Sequence, residues 1–376
     1  MTTGPAESRR RVRVLGVDSG GSGLRVALAT AGQVPGGRRP GGDTGAPVPE
    51  TLGSVAFDGA VPTGPGGIDA KALLDLLVPA AERLLADAGA QDAGAQDSGA
   101  QDAGTADAGA ERSGAGHGGA AHLDAVAVGA AGMTSLGDDL RGVLPGELAR
   151  RLGVRRLALA ADAVTAYAGA LGQCPGAVVA AGTGLIALGT DLSRWRRADG
   201  WGHLLGDCGS GAWIGRAGLD AALRAHDGRR GGSTALLARA EALFGPVSGL
   251  PGQLYPRTDR PAVLASFAPE VARCADRDPV SAEILARAAR HIAEAAVAVH
   301  PKSGDAGRVA LTGGLLKLGE PLLVPLRAEF ERQLPYGRPV SAAGDPLSGA
   351  LVVAAALATD TLRLPIEPGM LDVYRG

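Results

Sequence analysis

Apolar and polar positions alternate along 12–18 (Val-Arg-Val-Leu-Gly-Val-Asp) and along 24–30 (Leu-Arg-Val-Ala-Leu-Ala-Thr). That period predicts two β-strands, and the five residues between them, Ser19-Gly20-Gly21-Ser22-Gly23, predict the tip of a hairpin. A further strand is expected near 53–57, and Ile68, Leu73, Leu76, Leu77, Leu84 and Leu85 predict a helix over 68–86. The all-apolar run Ala125–Ala130 predicts a buried strand, followed by the polar turn Gly132-Met133-Thr134-Ser135. A helix over 138–152 leads to a strand over 155–161, which ends at Asp162. The segment 163–171 then reads as a helix with Asp162 at its N-cap. A second hairpin follows, with strands at 177–181 and 185–189 joined by Gly182-Thr183-Gly184. Helices are expected over 212–225, 233–244, 259–274 and 280–300. After them come a strand at 308–312, the Gly313-Gly314 turn, a helix at 319–333, a strand at 338–341 and a helix at 347–358. Strands alternating with helices predict an α/β protein.

At 376 residues, the length exceeds one ordinary core and predicts two domains. The formal net charge of −2 offers no basic field for nucleic acid or an anionic membrane, and Arg9-Arg10-Arg11 reads as a solvated strand entrance. Cys174, Cys208 and Cys274 are scattered and form no CxxC pair, so neither a disulfide frame nor a zinc or iron–sulfur site is expected. No 18-residue apolar run occurs and no apolar h-region follows the N-terminus, so a soluble cytoplasmic protein is the expectation. Asp87, Asp92, Asp97, Asp102 and Asp107 recur in low-complexity copies across 87–121, which is expected to be a disordered surface insertion.

Chemistry concentrates in four stretches. Three are glycine turns, at Asp18–Gly23, Gly182–Gly184 and Thr312–Gly314. Such turns expose consecutive backbone N–H groups that cradle phosphate without a lysine, although tight hairpins also use glycine for steric reasons. No Walker loop is present, since Gly-Lys-Ser/Thr occurs nowhere, and no dinucleotide fingerprint, since β-runs follow the glycines where that motif needs a helix. Asp18 reads either as a magnesium-holding carboxylate or as an Asx-turn residue. Asp162 reads either as a helix cap or as a general base. The fourth stretch, Gly200-Trp-Gly-His-Leu-Leu-Gly-Asp-Cys-Gly-Ser-Gly-Ala-Trp-Ile-Gly215, mixes glycine with His203, Asp207 and Cys208 in a way that burial alone does not require. Trp201 and Trp213 are expected in the core, and Cys208 as a small packing residue.

In this order the motifs resemble the sugar-kinase branch of the actin/Hsp70/hexokinase superfamily, specifically the N-acetylglucosamine kinase family and its activator-ATPase relatives. The resemblance implies two RNase H-like domains with a nucleotide cleft between them. The first spans 10–160, joined by 360–376, and the second spans 161–359. It implies ATP at Ser19, Gly20, Gly21, Ser22, Gly23, Gly182, Thr183, Gly184, Gly313 and Gly314, with Mg²⁺ on Asp18. It implies Asp162 as the catalytic base and an amino sugar near Ser135, Asp162, His203, Asp207 and Cys208. The family's usual run is Gly-Asp-Glu-Gly-Ser, and here Cys208 replaces the glutamate. The resulting Asp-Cys-Gly-Ser-Gly-Ala-Trp form is similar to actinobacterial glucosamine kinases, which makes D-glucosamine 6-phosphate the expected product and N-acetylglucosamine kinase or an activator-type ATPase the alternatives. The expected partners are small molecules, with no nucleic acid and no membrane; a homodimer is left open.

Overall fold

The computed structural model describes residues 11–20, 23–32, 49–64, 66–99, 122–301 and 307–376, without the side chains of Ser135 and of 92–99. The chain divides into two compact units, one of residues 1–173 with 346–376 and one of 174–345.

The first unit is built on a sheet of six strands. Its spatial order is Leu371–Arg375, Arg156–Ala161, Ala125–Ala130, Arg11–Gly20, Gly23–Gly32 and Glu50–Asp58. The last three form an antiparallel meander, while Arg11–Gly20, Ala125–Ala130 and Arg156–Ala161 run parallel. Ser19 stands level with Ala130, and Ala130 with Ala161, so the carboxyl ends of these three strands meet at one edge. The helices Asp162–Leu171 and Pro346–Ala358, which the sequence expectation groups with the second domain, pack on each other inside this unit. Gly349 makes that packing possible, since a Cβ there would fall on the Thr165 carbonyl oxygen and 2.5 Å from the Gly169 nitrogen. Arg156 ties the end of the later helix to the sheet through the carbonyls of Leu357 and Ala358 and the Asp360 carboxylate.

The second unit repeats the device with five strands, ordered Trp195–Asp199, Leu185–Thr190, Gly176–Ala181, Arg308–Thr312 and Arg338–Ser341. Again three strands form an antiparallel meander and the next two run parallel to its first strand. A meander followed by parallel strands is the RNase H-like arrangement, present in both units. The helices Gly211–His226 and Pro279–Val299 cover its core, with Ile214, Phe267, Leu285 and Ile292 fully buried. The buried Glu270 carboxylate is held by Arg239 and Arg273, so its charge is paired where burial would otherwise penalise it.

Three expectations change. The helix over 68–86 starts at Ala70 and runs on to Gly99, through the first low-complexity copies, whose alanine and glutamine are good helix formers. Residues 100–121 lie outside the described residues. The strand Trp195–Asp199 was not expected: its Arg-Arg-Ala-Asp polarity hides an edge strand that needs only one paired side. The strand Leu371–Arg375 closes the other sheet. Among the described residues no helix is long and apolar enough to cross a membrane.

Candidate functional site

In the first unit the sequence-predicted residues gather where the parallel strands end. Asp18 lies on the strand Arg11–Gly20, opposite Arg25, whose guanidinium meets its carboxylate at 2.6 Å. Ser19 is fully buried and its hydroxyl has no hydrogen-bond partner among the described residues. Gly20 ends the strand with no described residue near where a Cβ would project, and Gly23 resumes the chain at φ 141° against the Phe57 carbonyl. Gly21 and Ser22, the tip of the expected phosphate turn, lie outside the described residues. Two strands away, Ala161 ends its strand and Asp162 opens the helix Asp162–Leu171. Ser135 falls in the short helix Met133–Leu136 after the strand between them.

Asp162 does not take the N-cap position the sequence predicted. Ala161 holds it, with extended backbone and no side-chain cap, because the strand runs straight into the helix. The Asp162 carboxylate instead accepts the N–H of the adjacent Ala163 at 2.8 Å. The side chain is half-buried at the carboxyl end of a parallel strand, where α/β sheets place their ligands.

In the second unit the two remaining glycine turns stand side by side. Thr312 pairs with Ala180, and Gly313, at φ 105°, lies so close to Ala181 that a Cβ would fall on the Ala181 carbonyl. Gly314 begins a short 3₁₀ helix to Leu318. The Gly182–Gly184 turn closes on itself through Gly182 N–H to the Gly184 carbonyl at 2.9 Å. It is seated on the start of the helix Gly211–His226. Gly211 N–H donates to Gly182 O at 2.8 Å, Ala212 N–H to Thr183 O at 3.0 Å, and Trp213 N–H to the Ser210 hydroxyl at 3.2 Å. The helix start is therefore used to hold the turn, and the exposed Thr183 is left at its surface.

The stretch 200–208 joins this turn through Asp207. The Asp207 carboxylate accepts the Gly202 N–H at 3.1 Å and lies so close to Gly184 that a Cβ there would be 2.7 Å from Oδ2. Burial pushes the Asp207 carboxyl above its ordinary value. The Gly202 and Leu185 N–H groups oppose that rise, and the nearby Asp199 charge adds to it. His203 is half-buried, and its Nε2 is buried with no hydrogen-bond partner among the described residues, a state that costs free energy until a partner arrives. Trp213 is in the core as expected, edge-on to His291 at 5.2 Å. Trp201 is not: it is 66% exposed, with Arg197 stacked 4.5 Å above its ring, because the loop projects Trp201, Leu204 and Leu205 outward.

Burial, followed by the Asp199 charge, raises the Cys208 thiol above its ordinary value, so it is protonated and a poor nucleophile. Iodoacetamide should label Cys208 more slowly at neutral pH than it labels free cysteine, as mass spectrometry of the tryptic peptides would show. Labelling at or above the free rate would mean an activated thiol.

Magnesium takes one carboxylate readily when waters and phosphate oxygens complete its shell. Asp18 offers one such carboxylate, shared with Arg25, and no group of three acidic, His or Cys side chains that could hold a metal alone occurs among the described residues. This donor set fits an ion carried by a nucleotide. Sequence reasoning missed Asp199, whose carboxylate accepts the N–H groups of Asp207 and Cys208; nothing in its local spacing signals that contact.

The profile of the BadF/BadG/BcrA/BcrD ATPase family matches residues 15–354. The N-acetylmuramic acid/N-acetylglucosamine kinase of Clostridium acetobutylicum is 39% identical over 92 residues, covering 24% of this chain and 30% of that relative's length. A solved structure assigned as an N-acetylglucosamine kinase from Chromobacterium violaceum is similar over 91% of this chain and 98% of its own, at 26% identity and a TM-score of 0.60. Another with that assignment, from Porphyromonas gingivalis, covers 91% and 97% at 15% identity and a TM-score of 0.58, a likeness of fold. The fold is that of the actin/hexokinase-like ATPases.

Proposed function

Since the chain belongs to the BadF/BadG/BcrA/BcrD ATPase family, we propose that it is an ATP-dependent amino-sugar kinase that phosphorylates the 6-hydroxyl, with D-glucosamine as substrate. The observation that carries this reading is Asp162, a half-buried carboxylate that opens a helix at the carboxyl end of a parallel strand without capping it. Its role is that of general base, accepting the 6-hydroxyl proton as that oxygen attacks the γ-phosphate. Ser19, Gly20, Gly21, Ser22 and Gly23 in the first unit, and Gly182, Thr183, Gly184, Gly313 and Gly314 in the second, are assigned to ATP. Asp18 would hold Mg²⁺ with the phosphates, and the ion's contribution is to neutralise charge developing on them. His203 is assigned to a sugar hydroxyl, which would partner its buried Nε2. Ser135, Asp207 and Cys208 complete the proposed sugar set.

The substrate choice follows the charge of the loop. Asp199 and Asp207 are close enough that one disfavours ionisation of the other, a negative field that favours a 2-ammonium group. N-acetylglucosamine is the second reading, favoured by the names of the relatives and by the fact that both carboxylates already accept backbone N–H groups. An activator-type ATPase would release ADP without sugar. The test is a coupled ADP assay with glucosamine, N-acetylglucosamine, glucose and no sugar. Sugar-dependent ADP release with the highest kcat/KM for glucosamine is expected. Equal release without sugar would overturn the kinase reading, and preference for N-acetylglucosamine would overturn the substrate.

A further inference from the structure

We propose that Asp199 is the positioning residue of the sugar loop. Its carboxylate closes residues 199–208 into a ring and so sets where His203 and Asp207 stand. This rests on the kinase reading of the second unit and deepens it. Both carboxylate oxygens are engaged, Oδ1 by the Asp207 N–H at 2.5 Å and Oδ2 by the Cys208 N–H at 2.9 Å. A carboxylate holding two backbone amides makes charge-assisted bonds, stronger than neutral ones.

The ring is also built around that carboxylate sterically. A Cβ at Gly206 would land on Asp199 Oδ1, so a larger residue there would push the carboxylate away. Asp199 and Asp207 have φ of 60° and 53°, a left-handed backbone that side-chain-bearing residues adopt at a cost. Two such residues, one at each end of a single loop, persist only if the contacts between them over-determine the geometry. The entrance is fixed independently: Arg197 donates to the carbonyls of Asp199 at 3.0 Å and Gly200 at 2.6 Å.

What the ring delivers lies at its far end. With its N–H on Asp199, Asp207 points its carboxylate back to Gly202 N–H and toward Gly184 of the adjoining turn. One carboxylate thus holds the loop that presents His203, and the next joins that loop to the Gly182–Gly184 turn. Asp199 also places a carboxylate beside the thiol of position 208.

The test compares the full-length Asp199→Asn variant with wild type. Asparagine keeps the shape but has one acceptor oxygen and no charge. KM for the sugar should rise about tenfold, the ratio that about 1.4 kcal/mol represents, while KM for ATP stays within about twofold. Backbone amide exchange at 207 and 208 should quicken. A sugar KM within about twofold of wild type, with only the melting temperature lowered, would reduce Asp199 to a loop staple and overturn the proposal. If wild type phosphorylates no sugar, the kinase reading fails separately. Amide exchange then decides the ring, and unchanged rates at 207 and 208 in Asp199→Asn would overturn it.

Discussion

Asp162→Asn is expected to lower kcat by about 10²–10⁴-fold, the range general-base catalysis contributes, with ATP affinity nearly unchanged. The substitution is chosen for what it preserves. The asparagine oxygen can still accept the Ala163 N–H that Asp162 accepts at 2.8 Å, so the helix start should survive. The cap is supplied by Ala161 backbone geometry, which the change leaves alone. What is lost is a group able to take a proton from the attacking hydroxyl. Steady-state kinetics with nucleotide binding by calorimetry separates the two effects. A variant that keeps more than about a tenth of wild-type kcat, well inside that range, would remove Asp162 from the base role and return it to helix structure.

Gly349→Ala should be strongly destabilising for a single methyl in the first unit. The new Cβ would land on the Thr165 carbonyl oxygen and 2.5 Å from the Gly169 nitrogen. Both are backbone atoms of a helix whose residues from Ala163 to Leu171 are all buried, so no side-chain rotation relieves the clash. The helices Asp162–Leu171 and Pro346–Ala358 must separate, at a cost near the upper end of overpacking, about 3 kcal/mol. For a unit of this size that corresponds to a melting temperature lower by roughly 6–12 °C. Gly142→Ala is the control. Gly142 is exposed in the helix Asp138–Leu152 with nothing near its Cβ, and there alanine should stabilise by about 0.5–1 kcal/mol. Opposite signs in thermal denaturation are the expected result. A Gly349→Ala protein that melts with wild type would mean the two helices are not packed as described.

Much of the framework was legible because it is local. The strand of alternating residues after Arg11, the glycine-tipped second hairpin and the strand that ends at Asp162 all occur within a residue or two of where period and turn chemistry place them. Those signals need only neighbours along the chain. The edge strand Trp195–Asp199 failed the same test because an edge position tolerates polar residues on both faces.

The site divides along the same line. The sequence by itself determined which chemistry is available: three glycine turns, a carboxylate at a strand end, and a loop carrying histidine, aspartate and cysteine. Tertiary structure decided what those groups are doing. It buried the Ser19 hydroxyl, turned Trp201 to solvent, used the Gly211–Ala212 amides to hold a turn, and engaged Asp207 with Gly202. It also gave Asp199, unremarked in its Arg-Arg-Ala-Asp run, the two amides that close the loop. The reason is physical: strand and turn formation follow from dihedral preferences and short periods. Burial, hydrogen-bond partners and carboxyl proton affinity are instead set by which distant residues the fold presses together.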